Sequence, residues 1–105
     1  MKIVLHRLAD RELSEAFWYY EGQSDGLGIE FLNEFQRSSR KLLAFPQSAP
    51  IIRRIGGVTV RKKVLRRFPY DLFYTCDEDF LSILAIGHQK QRPGYWIGRV
   101  RDSDE

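Results

Sequence analysis

Tyr70-Asp71-Leu72-Phe73-Tyr74-Thr75-Cys76-Asp77-Glu78-Asp79-Phe80-Leu81-Ser82-Ile83-Leu84-Ala85-Ile86-Gly87-His88 is the stretch on which the fold turns. Two apolar, β-favouring runs flank three consecutive acids, so Tyr70 to Cys76 and Phe80 to His88 read as strands joined by a tight turn at Asp77-Glu78-Asp79. Upstream, Val58-Thr59-Val60 and Val64 to Phe68 read as further strands. Pro69 lacks an N–H for a ladder, which places a bulge or strand change between Phe68 and Tyr70. Gln47 to Gly57, just after Pro46, carries Pro50 and two glycines around Ile51-Ile52-Arg53-Arg54 and reads as a loop with room for one short strand.

Further upstream the period changes from two to that of a helix. Ala9, Leu13, Ala16, Phe17 and Tyr20 share one stripe behind an expected Asp10 cap, and Gly22 with Ser24-Asp25-Gly26 ends that helix. A second helix opens between Asp25 and Gly28, aligns Phe31, Leu32, Phe35, Leu42 and Leu43, and stops before Pro46. So short a connection makes the two helices a hairpin. Lys2 to Arg7 reads as a first strand. The order β-α-α-β-β-β implies an α+β fold in two layers, an antiparallel sheet with the helical hairpin on one face and the other face free for basic residues.

The chain has 105 residues, 43% hydrophobic and 30% charged, which fits one domain over 1–105 with a flexible tail at 101–105. The lone Cys76 cannot form an internal bridge, and with only His6 and His88 beside it no metal site is expected. No apolar run approaches the length of a membrane span, and the N-terminus turns polar too soon for a signal peptide, so a soluble, cytoplasmic protein is expected. Charge is segregated. Asp10 to Glu34 holds seven acids and one base, whereas Arg53 to Arg67 holds seven bases (Arg53, Arg54, Arg61, Lys62, Lys63, Arg66, Arg67) and no acid. Such a field attracts a polyanion or an acidic partner. The acids of the helices read as a solvated face.

The densest candidate for chemistry follows the last strand: His88-Gln89-Lys90-Gln91-Arg92-Pro93-Gly94-Tyr95-Trp96. Loops after strand ends commonly display working groups. His88 is either a satisfied rim histidine or a proton-transferring group. Tyr95 could donate a proton, and Arg66, Arg67, Lys90 and Arg92 could hold a phosphate. Trp96 reads as a latch covering the sheet. No glycine-rich phosphate loop is present, because Gly26-Leu27-Gly28 follows a helix and not a strand. No serine stands in a nucleophile elbow.

The element order, Phe17-Trp18-Tyr19-Tyr20-Glu21, the Gly28 to Phe35 opening, Arg66-Arg67-Phe68-Pro69-Tyr70, Ile83 to His88 and Arg92-Pro93-Gly94-Tyr95-Trp96 together resemble the RelE/ParE superfamily of toxins from bacterial type II toxin–antitoxin (plasmid stabilisation) modules. The resemblance runs over about residues 2 to 100. It implies a cofactor-free toxin that arrests growth until an acidic, partly disordered antitoxin wraps it, oligomeric only through that complex. RelE-like members cut mRNA on the ribosome, and ParE-like members poison DNA gyrase. By position the RNA-cutting roles would fall on His88, Arg92 and Tyr95, with Arg61, Lys62, Lys63 and Arg66 as basic support. Gln89 and Gln91 stand where cutting members often carry cations, and the histidine after the last strand and the long helical hairpin resemble the gyrase-directed branch. The resemblance therefore implies ParE-like inhibition of gyrase, with ribosome-dependent mRNA cleavage or an inactive, antitoxin-binding member as the alternatives.

Overall fold

Each element forms where its periodicity changes. The computed structural model describes residues 1–102. It contains β1 (Lys2–Leu5), α1 (Arg7–Gln23), α2 (Leu27–Ala44), β2 (Ile51–Ile55), β3 (Val58–Val64), β4 (Tyr70–Cys76), β5 (Phe80–His88) and a closing 3-10 turn (Ile97–Val100). The flexibility expected of 101–105 falls, at 103–105, outside the described residues; Asp102 contacts His6 at 3.3 Å. Among the described residues no helix is long and apolar enough to cross a membrane.

The five strands lie in the order β1-β5-β4-β3-β2. Pairing from β2 to β5 is antiparallel as expected, but β1 runs parallel to β5, so the sheet is mixed. The helical hairpin carries the chain from β1 across to β2 at the opposite edge, and the antiparallel strands bring it back to β5 beside β1, the long connection that parallel neighbours need. One strand boundary also differs from expectation, and the short strand for which the Gln47 to Gly57 segment left room is present. Val58 to Val64 is one strand, and Leu65 to Pro69 is a turn closed by the Leu65 amide on the Tyr70 carbonyl at 3.0 Å. Ile51 to Ile55 pairs as β2 because Gly56 and Gly57, with φ of 53° and 83°, make the left-handed hairpin turn that joins it to β3.

The cap of α1 is His6, not Asp10. The His6 amide is spent on the Ile83 carbonyl at 2.9 Å, and its Nδ1 accepts from the Leu8 amide at 3.1 Å. A strand thus passes into a helix with no loop between, leaving Asp10 in the first turn. Glu21 is not simply solvated either. Its carboxylate accepts from the amides of Gly26 (3.0 Å) and Gly28 (3.1 Å), so the end of α1 caps the start of α2. A Cβ at Gly28 would stand 2.7 Å from the Phe17 carbonyl oxygen, so the helices approach closely there.

Both helices bury their stripes against one face of the sheet. Ala9, Ala16, Phe31, Phe35 and Leu42 meet Leu72, Tyr74, Leu81, Ile83 and Ile86. Tyr20, Phe31, Phe68 and Tyr70 close one end as rings 4.8–6.1 Å apart, edge-on except for the tilted pair Tyr20–Phe31. The register shift between Phe73 and Tyr74 leaves Leu84 opposite no residue, and Leu84 and Ala85 turn together to the far face. That face is not free, as the sequence suggested. Trp96 is 2% exposed, stacks on Phe73 at 5.0 Å, and forms a second core with Val60, Leu84, Ala85 and Val100.

Candidate functional site

Side chains alternate across each strand, so register decides which cations share a face. Arg53 pairs with Val60 and Lys62 with Phe73, both far-face residues, whereas Arg61 pairs with Tyr74 and Lys63 with Leu72 on the helix face. Arg54, one residue on from Arg53, belongs to the helix side of its strand. On the far face Arg53 and Lys62 meet the turn after β5 in a cleft of about 280 Å³, whose lining includes Asp71, Phe73, His88 and Arg92. An added Cβ on Gly94 would lie 3.8 Å from Arg53 Nη2, so that guanidinium rests against the Arg92-Pro93-Gly94 turn.

The other cations of the basic segment have different fates. Arg61 Nη1 donates to the carbonyls of Gln47 (3.0 Å) and Ala49 (2.7 Å), tying β3 to the chain before β2. Arg67 pairs with Glu30 at 2.7 Å and lies over the Phe68 ring. Arg66 stands exposed on the same turn, and its backbone amide supports Glu34. The Arg37 hydrogen bond to Glu34, helped by that amide, holds the Glu34 carboxyl below its usual range. Lys90 is exposed on the turn after β5 and does not line the cleft.

His88 ends β5 with its ring edge-on to Tyr70 at 5.2 Å. Its Nδ1 accepts from the Lys90 amide at 3.0 Å, so in the neutral ring the proton sits on Nε2 as a donor. Asp71, 7% exposed, lies in the same cleft and accepts from Gln89 Nε2 at 3.2 Å.

Tyr95 also lines this cleft, but its hydroxyl is committed to Glu12. Strand β1 stops at Leu5, opposite Ile83, so the rest of β5 has no strand neighbour on that side. Glu12 fills the gap: its Oε1 accepts from the Ile86 amide (3.0 Å) and Arg99 Nη1 (2.8 Å), and its Oε2 from Arg99 Nη2 (3.0 Å) and Tyr95 Oη (2.9 Å). Arg99 also donates to the Leu84 carbonyl at 3.1 Å. Burial first, and then the Glu12 carboxylate, push the Tyr95 phenol far above its ordinary value. A Cβ at Gly87 would come within 2.6 Å of Tyr95 Oη, so only glycine leaves room for the phenol there. Sequence reasoning missed Glu12 because helix acids are usually solvated. The available signal was its place beside Leu13, between Ala9 and Ala16, on the stripe that packs.

The fold and site define a small α+β scaffold that presents unpaired cations beside a strand-end histidine and uses its terminal tyrosine and arginine to seal a sheet edge. Residues 3–93 match the family of the ParE toxin of the type II toxin–antitoxin system parDE, and the chain belongs to that family. A solved chain from the chromosomal ParDE toxin–antitoxin system of P. aeruginosa has the same fold, with a TM-score of 0.67 at 20% identity over 84% of this chain and 95% of that one. No curated protein matches the chain.

Proposed function

We propose that this toxin arrests growth by binding DNA gyrase, not by cutting RNA. The observation that carries this reading is the engagement of Tyr95. RNA cleavage needs a proton acceptor and a proton donor poised at one phosphorus centre. Here the phenol donates to Glu12 within a bidentate pair with Arg99, and Nδ1 of His88 is occupied by the Lys90 amide. Membership of the ParE family supports the same reading. The single domain acts in the cytoplasm, needs no cofactor, and is silenced by an acidic antitoxin that is also its route to oligomers. The apolar groove of Leu13, Phe17, Trp18 and Leu32 between the helices suits the antitoxin's apolar side chains. Its acidic residues suit the basic strands, so raised salt weakens the complex.

The test is a side-by-side assay of the purified chain. Gyrase supercoiling should fall in proportion to toxin while message in a translating extract stays intact. Cleaved message with unimpaired supercoiling would replace this reading with the ribosomal one. Induced expression that leaves growth untouched would mark an inactive, antitoxin-binding member.

A further inference from the structure

We propose that the cleft bounded by Arg53, Lys62, His88 and Arg92 binds a phosphodiester group of a nucleic-acid backbone. Its three cations come from three separate elements: β2, β3 and the turn after β5. Among the described residues none of them forms an ion pair, whereas Arg37, Arg67 and Arg99 each pair with a glutamate. Like charges gathered without carboxylate partners repel one another, and an anion relieves that repulsion. Asp71 is the one carboxylate of the cleft and leaves positive charge in excess.

Geometry selects the anion. A planar carboxylate is saturated by one guanidinium fork, while donors arriving from several elements suit the oxygens of a tetrahedral phosphate. His88 lines the same cleft, and with Nδ1 accepting from the Lys90 amide its Nε2 is the nitrogen left to donate. Trp96, stacked on Phe73 and only 2% exposed, offers no ring face for a base to stack upon. The cleft therefore reads backbone and not sequence.

This deepens the gyrase reading and rests on it only for which nucleic acid is at hand, namely the DNA that gyrase holds. The experiment is fluorescence anisotropy of labelled DNA and RNA oligonucleotides of equal length and mixed sequence with the purified full chain, over a salt series. Binding should be indifferent to sequence and weaken steeply with salt. Arg92→Ala should weaken it about tenfold and lower the salt slope by about one. Asp71→Asn, which keeps an acceptor for Gln89, should tighten binding severalfold, a gain that no folding defect imitates. Arg40→Ala, exposed on α2 and outside the cleft, should change little.

Binding of DNA with RNA excluded supports the cleft and the gyrase reading together. Equal RNA binding supports the cleft alone and leaves gyrase to the supercoiling assay. The proposal is overturned by no binding at low salt, by equal losses for Arg40→Ala and Arg92→Ala, by Asp71→Asn failing to tighten, or by polyglutamate competing as well as DNA. Supercoiling inhibition with no oligonucleotide binding would remove the cleft and keep the target.

Discussion

The two faces of the sheet are covered in different ways. One lies under two long helices with large apolar side chains, and the other under an irregular strap of about eight residues anchored by Trp96, Arg99 and Val100. The helical face builds the body of the molecule. The strap shapes the candidate site, because the turn that delivers Trp96 to Phe73 also brings Arg92 into one cleft with Arg53 and Lys62.

If this comparison is right, the strap is a second core and not an ornament. Trp96→Ala should lower the unfolding free energy by about 3–5 kcal/mol in denaturant titration, as large as a buried aromatic truncation under the helices. A loss under about 1 kcal/mol, the size of a surface change, would break the comparison.

The helical face was the legible one. Its stripes at Ala9 to Tyr20 and Phe31 to Leu43, and the paired strands around Asp77 to Asp79, repeat with periods that declare their geometry. The strap has no period. Its role shows only through pairings between residues far apart in the chain, such as Glu12 with Arg99. The parallel placement of β1 was equally hidden, since four residues of alternating pattern do not say which strand they join. The cation set was legible as a composition and not as a place. Register sends Lys62 to one face and Arg61 and Lys63 to the other, and a shift of one residue would reverse that.

Glu12 sharpens the comparison, because it ties the helical face to the strap. Glu12→Gln leaves Arg99 without its counter-charge in a site where both side chains are largely covered, at 12% and 20% exposure. It should cost about 2–3 kcal/mol by thermal or denaturant unfolding. A neutral result would mean the strap holds to the sheet without the helices.

A smaller effect separates the faces by pH. The Tyr95 phenol is raised by burial and by Glu12, so the folded state keeps a proton that the unfolded chain releases near pH 10. Its contribution is whole below about pH 10 and is lost as pH climbs toward the folded value. Unfolding free energy should therefore decline above pH 10. Tyr20, Tyr70 and Tyr74 shift in the same direction, so Tyr95→Phe should shallow the decline without removing it. An unchanged slope in that variant would contradict the Tyr95–Glu12 contact.

The most direct measurement is growth arrest on induced expression of Tyr95→Phe beside the parent chain, with circular dichroism confirming the fold of each. A toxin that works by binding, with Tyr95 sealing a sheet edge, predicts arrest undiminished by loss of the hydroxyl. Arrest abolished in a correctly folded Tyr95→Phe protein would return the phenol to chemistry and contradict the account.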